Sequence, residues 1–124
     1  MGKIIQIVED DKDIRFILEY VLAESGFVLE TFDSIKAFSD RSRKDDIDLI
    51  LLDVKLPDGN GIDLCKDLKN AELTKHIPVV IMSAHASSNR AIGEGKADDF
   101  IPKPFDLDKF VERINEILNR RATL

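Results

Sequence analysis

Several short apolar runs in this chain give way to residues able to do chemistry. After Ile4-Ile5-Gln6-Ile7-Val8 come Glu9, Asp10 and Asp11. After the run 47–52 comes Asp53, after the run 77–82 comes Ser83, and after Phe100-Ile101-Pro102 comes Lys103-Pro104. Three carboxylates held within several ångströms repel one another, and their pKa values rise unless a cation intervenes. Hard divalent ions take oxygen ligands, and Mg2+ combines one or two carboxylates with waters and substrate phosphates. With a metal among the acids, Asp53 could act as a carboxylate nucleophile toward phosphorus. Lys103 and the metal would offset charge on the transferring group's equatorial oxygens. Ser83 could donate its hydroxyl to one of those oxygens.

Each residue alone has a plain explanation. An aspartate after a strand is usually a turn residue or helix cap, as Asp11 or Asp13 would be. A lone lysine is usually a solvated charge. No structural need accounts for such residues at four strand ends of one sheet, so the elements that carry them decide the matter.

The runs 4–8, 47–52 and 77–82 are short, β-branched and nearly continuous, which predicts strands buried on both faces. The run 27–32 carries Glu30 and Thr31 and predicts an edge strand, and Phe100-Ile101 a fifth, very short one. Helical spacing lies between. Ile14, Ile17, Leu18, Val21 and Leu22 share a face that Gly26 terminates. Ile35, Ala37 and Phe38 mark a short helix capped by Asp33 or Ser34, and Asn60 caps one bearing Leu64, Cys65 and Leu68. Asp106 caps the last helix, with Leu107, Phe110, Val111, Ile114, Ile117 and Leu118 facing inward. Alternating strands and helices predict an α/β fold with a parallel sheet covered on both faces. In such folds ligands bind outside the carboxyl ends of the strands. If the order is 2-1-3-4-5, Glu9, Asp10 and Asp53 converge at one edge, with Ser83 and Lys103 beside them.

At 124 residues the chain is one domain long. Lys and Arg number 18 against 24 Asp and Glu, and a net charge of −6 offers no footprint for a phosphate backbone, which argues against direct nucleic acid binding. One cysteine, Cys65, excludes an intrachain disulfide and suggests a cytoplasmic chain. No apolar run approaches the ~20 residues of a membrane helix. Cys65 reads as a core residue, His76 and His85 as surface residues (His85 close to Ser83), and Arg120-Arg121 as a helix C-terminus favoured by the dipole.

The sequence closely resembles the receiver domain of bacterial two-component response regulators. The segments 7–11, 51–61, 80–84 and 97–105 carry the likeness: IVEDD, LLDVKLPDGNG, VIMSA and ADDFIPKPF. The resemblance implies a flavodoxin-like, CheY-like (βα)5 fold with a doubly wound five-stranded sheet in the order 2-1-3-4-5, formed by residues 1–124 as a single receiver domain. It implies that Asp53 is the phospho-acceptor and that Asp10 and Asp53 bind Mg2+ (Mn2+ substituting), with Glu9 acting through water and the Lys55 backbone carbonyl as a further ligand. Ser83 matches the switch hydroxyl, Phe100 the aromatic that turns inward with it, and Lys103 the phosphate-binding lysine. The Lys103–Pro104 bond is usually cis in the family.

The implied donor is a sensor histidine kinase or histidine phosphotransfer protein, and the implied recipient of the signal a downstream protein. Such a domain catalyses its own phosphorylation and slow dephosphorylation but is not a turnover enzyme. Two alternatives stand beside this reading. A phosphatase of the haloacid-dehalogenase type also uses an Asp nucleophile, but would place a second Asp where Lys55 stands. A phosphorylation-independent interaction module would commonly have lost some of the acids. One departure from the family concerns the stretch from Ser83 to Lys103, which is about two residues shorter than usual. Its helical segment, 86–95, has one large apolar residue and two glycines, and Lys96 stands where glycine is usual. A short, poorly helical and mobile fourth helix is expected there.

Overall fold

The computed structural model describes residues 2–44, 46–84, 88–103 and 106–122. Strands β1 (Ile4–Val8), β2 (Val28–Phe32), β3 (Leu49–Asp53), β4 (Val79–Ser83) and β5 (Asp99–Pro102) form one parallel sheet in the order 2-1-3-4-5. The α/β fold and strand order expected from the sequence are those observed. β3 and β4 are buried along their whole length, whereas β2 lies at the edge and is only half-buried. Continuous apolar runs thus go to the centre and the run interrupted by Glu30 and Thr31 to the rim.

Helices α1 (Lys12–Glu24), α2 (Ile35–Ser39), α3 (Gly61–Asn70), α4 (Ser88–Gly93) and α5 (Leu107–Ala122) fill the crossovers. Leu18 and Leu22 of α1 join Phe110 and Ile114 of α5 against Ile5, Ile7, Leu51 and Val80 on one face of the sheet. Phe38, Ile62, Cys65 and Ala91 of α2, α3 and α4 join Val8, Leu52 and Ile81 on the other. Alternate residues of each strand therefore feed opposite cores, as the period of two requires.

The expected caps are in place. Ser34, not Asp33, caps α2 by accepting from the Ala37 amide, and Asn60 caps α3 through the Ile62 amide. The Asp106 carboxylate accepts from the Asp108 and Lys109 amides. Two strands start later than their apolar runs. β4 begins at Val79 because Pro78 has no N–H for the ladder. β3 begins at Leu49; before it, the Asp48 carboxylate and amide pair with the amide and carbonyl of Ile4 at 2.7 and 2.9 Å. Among the described residues α4 runs for six, Ser88–Gly93, within the segment 86–95 expected to be short, and residues 86 and 87 of that segment lie outside the described ones. Lys96 lies at φ 60, the left-handed region where glycine is comfortable and lysine is not.

Candidate phosphoryl and metal site

Strand register delivers the functional side chains to one edge. β1 and β3 run side by side with Val8 opposite Leu52, so the next residues, Glu9 and Asp53, leave the sheet as neighbours. Asp53 pairs with Met82 of β4, and Ser83 with Pro102 of β5. The Lys103 amide then donates to the Ser83 carbonyl at 3.0 Å, carrying the pattern one residue past the sheet.

Carboxylate oxygens of Glu9, Asp10 and Asp53 all lie within 4.8 Å of one another. Glu9 is fully buried, Asp53 is 8% exposed and Asp10 faces solvent. Lys103 Nζ stands 2.5 Å from Glu9 Oε1 and 3.3 Å from Asp53 Oδ2. Burial is the largest influence on Glu9 and, helped by the charge of Asp53, raises its pKa to about 7 against the opposing bonds from Lys103 and the Asp11 amide. Burial acts to lower the Lys103 pKa, but bonding to Glu9 and the two carboxylate charges outweigh it, and the net shift is upward.

Backbone groups fix the remaining oxygens. Asp53 Oδ1 accepts from the Val54 amide at 2.8 Å, and Glu9 Oε2 from the Asp11 amide at 3.1 Å. Asp11 is itself the N-cap of α1, accepting from the Asp13 and Ile14 amides. Arg15, on the first turn of that helix, donates from Nη1 to the Glu9 carbonyl at 2.8 Å. Gly61, at the start of α3, sits against the Asp53 carbonyl so closely that a Cβ there would collide with it. The Gly61 amide donates to the Val54 carbonyl at 2.8 Å, closing the turn that holds Lys55.

The donor set suits a hard divalent ion. All three side chains offer oxygen, and three carboxylates with one ammonium carry a formal charge of −2 that a divalent ion would balance. Because burial already strains the charged state of Glu9, a further cation would relieve it.

Of the residues singled out in the sequence, Glu9, Asp10, Asp53 and Lys103 come together, and Ser83 is buried beside them at the end of β4. Lys55 exposes its side chain two residues beyond Asp53. Phe100 is half-buried, pairs in register with Ile81 and packs against the core that α2, α3 and α4 cover. His85 and Pro104, with the proposed cis bond, lie outside the described residues. Cys65 is buried in the core, where desolvation pushes its thiol up to about 12. The sequence reading did not single out Arg15 or the Val54 amide. Neither has a sequence signal, since one depends on the turn from β1 into α1 and the other on backbone direction.

A family model for the response regulator receiver domain matches residues 5–115. The chain belongs to the response regulator receiver family. Among curated relatives, the transcriptional regulatory protein CpxR of Klebsiella pneumoniae is 40% identical over 123 residues, covering 97% of this chain and 50% of its own length. The phosphate regulon transcriptional regulatory protein PhoB of Escherichia coli is 37% identical over 122 residues, covering 97% and 53%. This chain thus spans about half the length of the curated relatives it matches. Among solved structures, the non-phosphorylated HemR receiver domain from Leptospira biflexa superposes with a TM-score of 0.84 at 32% identity, covering 94% of each chain. A CheY-like receiver domain protein from Methanospirillum hungatei gives 0.89 at 25% identity, covering 99% of this receiver and 98% of that chain. No described helix of this receiver is long and apolar enough to cross a membrane.

Proposed function

We propose that this receiver takes a phosphoryl group onto Asp53 from the phosphohistidine of a sensor histidine kinase or histidine phosphotransfer protein, in a reaction that needs Mg2+ or Mn2+. One observation carries the reading: Glu9, Asp10 and Asp53 meet within 4.8 Å, with Lys103 reaching into the cluster. Asp10 and Asp53 would hold the ion, with Glu9 acting through water and Lys55 contributing its carbonyl. A bound ion would neutralise the acids and withdraw charge from the phosphoryl oxygens.

In the transfer an Asp53 oxygen attacks phosphorus in line. An O–P bond forms as the N–P bond of the phosphohistidine breaks, and the bonding pair stays with the imidazole nitrogen. The Val54 amide on Oδ1 and Lys103 beside Oδ2 hold the carboxylate in one orientation, lowering the entropic cost of attack. Lys103 remains cationic and supplies fixed positive charge to an equatorial oxygen. Ser83 then turns its hydroxyl to another oxygen and Phe100 fills the space behind it, which alters the surface that a downstream protein reads. Hydrolysis returns free Asp53, so the domain acts on itself and is not a turnover enzyme. The haloacid-dehalogenase reading lacks its second acid, since Lys55 stands in that place. We take residues 1–124 as one receiver domain working in the cytoplasm through protein partners, with no nucleic acid or membrane contact of its own.

The test is the melting temperature against Mg2+ concentration. Wild type should gain stability by mass action, whereas Asp10→Ala should show no gain and a raised melting temperature without metal, because repulsion among the acids is relieved. A wild-type curve that stays flat to tens of millimolar, roughly the weak end of carboxylate sites, would remove the metal from the proposal.

A further inference from the structure

The excursion between Asp53 and α3 is a small hairpin. Lys55-Leu56 pairs antiparallel with Gly59-Asn60, and the bond from the Gly61 amide to the Val54 carbonyl closes its base. Its tip is exposed but tied to α2. Asp58 Oδ1 accepts from the Ile35 amide and Oδ2 from the Lys36 amide, each at 2.9 Å. These are amides of the first turn of α2, which a helix cannot satisfy internally. Ser34 satisfies the Ala37 amide, so the cap and Asp58 divide the work between them. α2 has only five residues, too few to persist alone. Its start therefore depends on a carboxylate that arrives from the acceptor loop more than twenty positions away. The two backbone donors also hold the Asp58 carboxyl below the ordinary carboxylate range, as expected for an anion bound at both oxygens.

We infer that Asp58 is a positioning residue of the phosphoryl site: by clamping the hairpin tip to α2 it sets the Lys55 carbonyl for the metal, and by the same contact it makes the first turn of α2 respond to metal and phosphoryl occupancy. The inference rests on the proposed metal site. The path is continuous, from Asp53 through the Val54 amide, the Gly61–Val54 closure and the two-residue ladder to Asp58 and α2. Linkage makes the effect reciprocal: a hairpin held by α2 binds metal better, and bound metal stabilises the first turn of α2.

The experiment is calorimetric Mg2+ titration of the full chain, with hydrogen exchange read at the Ile35 and Lys36 amides. Asp58→Ala should stay folded, since the side chain is on the surface, yet bind Mg2+ roughly fivefold or more weakly. In wild type, Mg2+ should slow exchange at both amides; in Asp58→Ala they should exchange faster and ignore the metal. Asp58→Asn, which keeps one acceptor oxygen, should lose less affinity and serves as the reading if the alanine variant folds poorly. Asp40→Ala removes the 2.7 Å surface ion pair of α2 with Lys36 but not the clamp, and should bind Mg2+ like wild type. Wild-type affinity in Asp58→Ala, an equal loss in Asp40→Ala, or amides in wild type that do not respond to Mg2+ would each overturn the inference. Wild type that binds no Mg2+ would instead overturn the metal site and this inference with it, a failure that the first titration identifies by itself.

Discussion

The loop from β3 to α3, at the carboxyl edge of the sheet, and the segment from α4 to β5, which enters the sheet beside Val79 at the opposite edge, are held by different forces. Around Asp53, polar bonds lock the backbone: the Val54 amide to Asp53, the Gly61 amide to Val54, Asn60 to Ile62, and Asp58 to α2. Around α4, the described side chains that reach the core are those of Ala91 and Ala97, and an exposed Arg90–Glu94 pair at 3.3 Å adds little. A segment that buries so little apolar surface opens at low free energy. The proposed acceptor Asp53 is thus mounted on the more heavily bonded side, and the side with less to lose is where the proposed movement of Ser83 would be taken up.

The contrast can be broken most severely with glycine substitutions. Gly61→Ala would drive a methyl group into the Asp53 carbonyl and should cost roughly 2–3 kcal/mol or more in urea denaturation. Gly93→Ala, on the last residue of α4, meets open space and should gain up to about 1 kcal/mol. Similar losses at both sites would mean that the two regions are equally rigid.

A smaller effect sharpens the comparison. Lys96→Gly relieves a left-handed lysine and should stabilise the protein by up to about 1 kcal/mol, with slower hydrogen exchange over residues 90–95. Without Lys96→Gly, those amides should exchange quickly in the apo protein and slow when Mg2+ and a phosphoryl mimic are added.

The smallest effect lies on β5. Asp99 is gripped by Arg113 at 2.6 and 2.8 Å. Burial works to raise its pKa, but the Arg113 bonds, the Phe100 amide and nearby Arg120 prevail and hold it below the usual range. A depressed carboxylate stabilises the fold above its unfolded pKa, and this contribution is lost as pH falls through the folded value. Asp99→Asn should therefore flatten the acid limb of the stability curve below about pH 4, with less than about 1 kcal/mol lost at neutral pH because Arg113 is half-exposed.

The sequence foretold whatever depends on local pattern. Strands β1, β3 and β4 were visible as continuous apolar runs, α1 and α5 as helical stripes, and Asn60 and Asp106 as caps. The acids were visible because a parallel sheet brings successive strand ends to one edge. Bonds between distant segments were not. Asp58 looks like an ordinary turn residue until α2 is placed beside it, and Asp99 and Arg113 meet only once α5 has docked. Gln6 reads as a flaw in an apolar strand, yet it is fully buried and donates to Glu30 and to the Arg43 carbonyl. The hairpin at 55–60 is too short for any period to reveal.

On the proposed function, Asp53 takes a single phosphoryl group and needs a divalent ion to do so. Intact-mass measurement after incubation with a small phosphodonor, with and without Mg2+, tests it on wild type and Asp53→Asn. The asparagine variant keeps the shape but removes the anionic nucleophile. One added phosphoryl group is expected on wild type with Mg2+, none without the metal, and none on Asp53→Asn. Equal labelling of Asp53→Asn, or full labelling of wild type in the presence of a chelator, would contradict it.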